Sequence, residues 1–238
     1  MAHNSLTDAP RNFREGIDWL LALKGTDAED NLKALGTALY DFLSKPHPGS
    51  TQIQSLENVK NASKTFMADQ EFKDQKPIQN TLGMLIGTVK RTPGEFTNSK
   101  RLTAETIAEK LSNVADACDQ FLDDIKDHNQ YNSAYGAEAT WDASCAKDPE
   151  ACAVVLVGMA PMLYAGIQSL RKMSNRGMWL DQNYVECKRV RALVKAFGYD
   201  RLEVRSLMTD SYVSWALRSI NKKTLATLKD LAGICAFY

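Results

Sequence analysis

At 238 residues the chain is long enough for one substantial hydrophobic core. Its 44% hydrophobic and 24% charged residues exclude a disordered or collagen-like chain, and 13 Gly with 7 Pro are too few for a loop-rich scaffold. Lys and Arg balance Asp and Glu at 29 each, yet 13 of the cations and only 6 of the anions lie beyond residue 150, so the C-terminal part is basic and the rest acidic. That asymmetry suits either internal docking of complementary parts or a basic face for an acidic partner.

Met1-Ala2-His3 reads as a tail added for expression, covering residues 1–5, and no secretory signal or anchor signal is recognisable, as expected of a trimmed mature domain. Thr7 or Asp8 can cap a first helix with Pro10 in its first turn. Phe13, Ile17, Leu20, Leu21 and Trp19 form its buried stripe, and Gly25 ends it. Thr26 to Glu29 matches a capping box, followed by Leu32, Leu35, Leu39 and Leu43 at helical spacing; these two helices should form an antiparallel hairpin.

Pro46, Pro48 and Gly49 mark a loop, after which Ile53, Leu56, Val59 and Phe66 predict a third helix. Pro77 opens a fourth with Ile78, Leu82, Leu85, Ile86 and Val89, in which Gly83 and Gly87, one turn apart, suggest close packing in a bundle. Thr92-Pro93-Gly94 breaks it, and Phe96 to Arg101 reads as the most mobile connection. Thr103 then caps a long helix carrying Ile107, Leu111, Val114, Cys118, Phe121, Leu122 and Ile125. Its other face holds Asp116, Asp119, Asp123 and Asp124, with Asp127 just beyond; lacking the calcium-loop pattern, it reads as solvated. Residues 129–136, with Tyr131 and Tyr135, form a loop.

The central element is the run from Asp148, an N-cap with Pro149 at the first helical position, to about residue 173. No residue from Ala151 to Leu170 is charged, and Val154, Leu156, Val157, Met159, Met162, Leu163 and Ile167 cover all sides of the cylinder. Such a helix is either the core of a bundle or a membrane span. Pro161, Gly158, Gly166, Gln168 and Ser169 favour the core. Beyond it, Val185 to Phe197 reads as a basic helix ended by Gly198, Asp210 as the cap of a helix through Ile220, and Leu225, Leu228 and Leu231 as a last helix. No period-two pattern persists. The chain is therefore expected to be all-α, a multi-helix bundle around the helix at about 149–173, with 6–238 one helical domain in loosely docked sub-bundles of roughly 6–45, 51–130 and 141–238.

The five cysteines, Cys118, Cys145, Cys152, Cys187 and Cys235, contain no C-x-x-C, so neither a zinc site nor any other metal site is expected. Cys145 and Cys152 flank the Lys147-Asp148-Pro149 turn. They are either a bridge pinning the entrance of the central helix or two small buried residues.

His3, His47 and His128 stand without a nucleophile motif, and no hydrolase, metalloprotease or nucleotide-binding motif occurs, so neither catalysis nor a cofactor is expected. The candidate binding residues are Arg171, Lys172, Arg176, Lys188, Arg189, Arg191 and Lys195, continued by Arg201 and Arg205 and interleaved with Trp179, Tyr184 and Tyr199. Cations among exposed aromatics suit sialylated or sulfated glycans, phospholipid heads or RNA, although a bundle surface also needs charges of this kind.

Two stretches carry a resemblance. LTDAPRNFREGIDWLLALKGTDAEDNLKALGTALYDFL, residues 6–43, resembles an N-terminal motif of surface antigens of babesial piroplasm parasites. WDASCAKDPEACAVVLVGMAPMLYAG, residues 141–166, looks like the core of the same group. The chain is most similar to the GPI-anchored merozoite surface antigens that bind erythrocytes, and shares mainly the first motif with variant erythrocyte surface antigens. The resemblance implies a non-enzymatic, lipid-anchored helical ectodomain on the outer face of the cell. It implies adhesion to an erythrocyte surface protein or glycan, exposure to host antibodies and no nucleic-acid partner. The secretory route it implies is oxidising, which favours the Cys145–Cys152 bridge. The rival readings are an intracellular helical adaptor and a variant antigen exported to the infected erythrocyte.

Overall fold

A computed structural model of the protein describes residues 2–45, 53–87, 102–176, 191–206 and 208–238. The loop at Pro46 to Gly49, the break at Thr92-Pro93-Gly94, the connection from Phe96 to Arg101, and the start of the basic helix from Val185 lie outside the described residues. The described residues form no strand, and their β pairing is confined to two isolated bridges, His3 with Tyr135 and Lys126 with Val204.

Helix α1 spans Phe13–Lys24. Its cap is Asn12, whose side chain accepts from the Glu15 N–H, and not Thr7 or Asp8. The residues before Asn12 are held by tertiary contacts. Leu6 is fully buried, the Trp19 indole N–H donates to the Leu6 carbonyl at 2.7 Å, and the Tyr135 hydroxyl donates to the Asp8 carbonyl at 2.7 Å. A helix begun at residue 8 would break these bonds. Helix α2, Ala28–Ser44, follows Gly25, and Leu32, Leu35, Leu39 and Leu43 are all buried. The expected capping box does not form: Asp27 is the cap residue and its side chain bonds no helix N–H, while the Thr26 hydroxyl donates to the Asp27 carboxylate.

Helices α3 (Gln54–Met67) and α4 (Lys76–Ile86, with Pro77 in its first turn) follow. Gly83 is not a packing glycine, since nothing lies within 4 Å of the position its Cβ would take, and Gly87 simply ends α4. Helix α5, Ala104–Ile125, starts at Thr103 in a capping box completed by Thr106 and buries every apolar residue of its predicted stripe. Its acidic face is only partly solvated. Asp116 and Asp119 pair with Lys24 at 2.9 and 2.8 Å, whereas Asp124 is buried under the segment that carries Val204 and Tyr212.

A short helix α6, Trp141–Ser144, precedes the central helix α7, Pro149–Arg176. Asp148 caps α7 by accepting from the Ala151 N–H at 3.2 Å. Cys145 and Cys152 are joined in a disulfide across this entrance, with Cα atoms 5.9 Å apart. Within Pro149–Ser174 an 18-residue window reaches a mean hydropathy of 1.7, enough by length and composition to cross a bilayer, and 83% of that window is buried inside the fold. It packs against α1, α2, α3, α4 and the two C-terminal helices α8 (Asp210–Ala216) and α9 (Lys222–Phe237), while α5 packs against α1, α2, α8 and α9. Each Val, Leu or Met that α7 buries contributes roughly 1.5–3 kcal/mol relative to exposure.

Close approach explains the small residues of α7. A Cβ on Gly158 would lie 2.5 Å from the Val59 Cβ, and one on Gly166 would lie 2.4 Å from the Phe13 ring. Thr209, not Asp210, caps α8, which stops at Ala216 rather than Ile220. Asn221 caps α9 by accepting from the Lys223 and Thr224 N–H groups.

Candidate functional site

A helical stretch at 191–196 runs into Phe197, which is fully buried against Phe13, Phe66 and Phe72 at ring separations of 5.0, 5.6 and 5.3 Å. The next residue, Gly198, has φ +98, a backbone state that L side chains resist, and Asn12 fills the space its Cβ would need. The chain reverses there. Residues 200–203 form a turn in which the Asp200 N–H donates to the Glu203 carboxylate at 2.9 Å. The Arg205 N–H then donates to the Ile125 carbonyl at 3.0 Å, and Glu203 accepts from the Arg14 guanidinium at 2.7 Å. The reversal is thereby fastened to α1 and to the end of α5.

Between its two limbs lies a cleft of about 700 Å³. Arg191 and Lys195 project from the helical limb, Arg201 and Arg205 from the returning one, and Val194, Val204 and Met208 contribute an apolar lining. Leu202, 70% exposed, also borders it. Arg191 donates to the Ser206 carbonyl at 2.8 Å, which ties the limbs together. Among the described residues of the lining Asp200 is the one acidic residue, and its carboxylate accepts from the Arg201 N–H at 2.7 Å. Neither Lys195 nor Arg201 has an ion pair among the described residues. A volume of this size with an apolar lining and convergent charge is what a ligand or a short chain segment occupies.

Of the residues expected to bind, the structure therefore brings Arg191 and Lys195 together with Arg201 and Arg205. Arg171 is engaged elsewhere: its guanidinium donates to the Ile220 carbonyl, tying α7 to the turn before α9, and burial lowers its pKa. Lys172 borders a different recess of about 270 Å³, beside Glu71 and Asp74. Lys188, Arg189 and the side chain of Arg176 lie outside the described residues, as do Trp179 and Tyr184. Tyr199 is not an exposed aromatic. It is 2% exposed, and burial raises its pKa well above the ordinary tyrosine value.

Sequence reasoning missed a second cluster at the foot of the reversal. The Tyr131 hydroxyl and the Ala134 N–H both donate to Asp18, the latter at 2.8 Å, and the Arg14 guanidinium sits over the Tyr131 ring at 5.2 Å. Burial raises the pKa of Asp18, against the opposing effect of the Tyr131 and Ala134 hydrogen bonds. The available signal was Arg14 and Asp18 at i and i+4, an opposite-charge pair beside an apolar stripe. Among the described residues no group of three His, Cys, Asp or Glu side chains could hold a metal ion.

No protein family, curated protein or solved structure matches this chain. The reading of its function therefore rests on the residues and their geometry.

Proposed function

We propose that this chain is a non-enzymatic adhesion ectodomain of the merozoite surface antigen type that residues 6–43 and 141–166 resemble. It is held at the outer face of the cell by a lipid anchor and contacts a protein or glycan of the erythrocyte surface. The observation that carries the reading is the cleft between residues 191–196 and 199–206, where Arg191, Lys195, Arg201 and Arg205 converge on an apolar lining to which Met208 also contributes. Most of the remaining described cations on the basic side of the chain stand on helices whose apolar faces are used in the core. The cleft thus supplies contact area and charge together, which a merely solvated helix face does not.

The disulfide Cys145–Cys152 supports an oxidising route over an intracellular adaptor. A mass measurement under non-reducing, alkylating conditions separates the two: five free thiols would favour the adaptor. The adhesion reading is tested by saturation binding of the fluorescently labelled protein to intact erythrocytes, before and after sialidase or protease treatment and at two salt concentrations. Saturable, salt-sensitive binding lost after one treatment is expected. Absence of binding under every condition overturns adhesion.

A further inference from the structure

The cleft's chemistry narrows the class of ligand, an inference that rests on the adhesion reading for its biological setting but not for its physics. We infer that it takes an acidic peptide segment of a protein partner, one in which Asp or Glu residues alternate with large apolar side chains, and not a sugar.

Three features lead there. The first is the disposition of charge. Arg191 and Lys195 are four residues apart on a helical limb, about 6 Å along its axis, and Arg201 and Arg205 face them from the returning limb. Charge on both walls suits carboxylates spaced along an extended chain, whereas a lipid headgroup concentrates its charge at one point. Three of the four cations are arginines, whose planar guanidinium forks bind carboxylates in bidentate fashion. The second is the lining. Val194, Val204 and Met208, with Leu202 70% exposed at the border, offer an apolar surface that sugar hydroxyls would have to cover without hydrogen-bond partners. The third is Tyr199, the aromatic among the described residues of the lining, which is 2% exposed and so offers no open ring face for a pyranose to stack on. Asp200 offsets only one of the four cations, so the described lining keeps a net positive charge.

The test is selection of a random dodecapeptide display library on the immobilised protein, run in parallel on a variant carrying R191E, K195E, R201E and R205E. The variant's circular dichroism and melting temperature verify that it folds, and a second variant carrying only K195E, R201E and R205E, which keeps Arg191 on the Ser206 carbonyl, should lose the same peptides. The wild type should enrich peptides with acidic residues flanking Leu, Phe or Trp. A synthetic copy should then bind at least tenfold more weakly to the variant, and weaken likewise with L202D or raised salt. The inference is overturned by three results: no acidic consensus, the same peptides enriched on the variant, or saturable binding only to a heparin oligosaccharide or to phosphatidylserine vesicles. Peptide binding without erythrocyte binding would sink the adhesion reading and leave the cleft assignment standing. Erythrocyte binding abolished by the four reversals but with no peptide consensus would do the opposite.

Discussion

Ser63 of α3 donates its hydroxyl to the carbonyl of Gly158 in α7 at 2.7 Å, a hydrogen bond closed off from solvent. Three residues on stands Pro161, which has no N–H and so leaves the Val157 carbonyl without its usual helical donor. A cross-helix hydroxyl thus serves the carbonyl next to the proline's gap, where α3 and α7 are in closest approach. Ser63→Ala should leave that acceptor with one partner fewer and cost about 0.5–1.5 kcal/mol, read as a fall of roughly 1–6 °C in melting temperature.

The same contact sets a contrast between two glycines. Gly158→Ala drives a methyl to 2.5 Å from Val59 and should destabilise the fold by about 1–3 kcal/mol. Gly83→Ala meets nothing within 4 Å on an exposed position of α4 and should instead stabilise by about 0.5–1 kcal/mol through helix propensity. Urea denaturation of the two variants checks both signs; a stabilised Gly158→Ala would mean that α3 and α7 do not approach as described.

The Cys145–Cys152 bridge closes a loop with a sequence separation of 7 at the mouth of α7. The chain-entropy relation gives about 2.5 kcal/mol for a loop of that size. The double alanine variant, or the reduced protein, should melt roughly 5–10 °C lower while keeping its helical signal.

Cys118 and Cys235 are buried thiols whose pKa burial pushes up to about 12. Since the thiolate is the reactive form, neither should be alkylated by iodoacetamide at pH 8 in the folded protein, and both should react in urea. Peptide mapping by mass spectrometry resolves the two sites.

Asp18 supplies a pH dependence. Its pKa is raised in the folded state by burial, so the folded protein holds that proton more tightly than the unfolded chain does. The resulting penalty is absent below the unfolded aspartate value, grows as pH rises from there to the raised folded value, and is constant above it. Asp18→Asn keeps an acceptor for Ala134 without the charge. The stability difference between variant and wild type should therefore move in the variant's favour across that window, measured by urea unfolding from pH 3.5 to 7. A difference independent of pH would show that Asp18 is not ionised against its surroundings.

Elements whose cause is local could be read directly. The stripe from Ile107 to Ile125, the Thr103 and Asp148 caps, the stop at Gly25 and the all-round apolar run of α7 follow from side-chain spacing and from backbone groups satisfied within a turn. Where the deciding partner is distant in the chain, local signals mislead. Thr7, Asp8 and Pro10 make a sound helix start, but Trp19 and Tyr135 hold the neighbouring carbonyls in another conformation. Asp124 lies on a polar face by periodicity yet is buried, beside the bridge of Lys126 with Val204 and with its backbone carbonyl accepting from the Tyr212 hydroxyl. The cleft belongs to the second kind. Composition shows a basic C-terminal third, but only the reversal at Gly198 sets Arg191 and Lys195 opposite Arg201 and Arg205. That reversal is held by Phe197 in the core and by Arg14 on Glu203, contacts that no window of neighbouring residues contains.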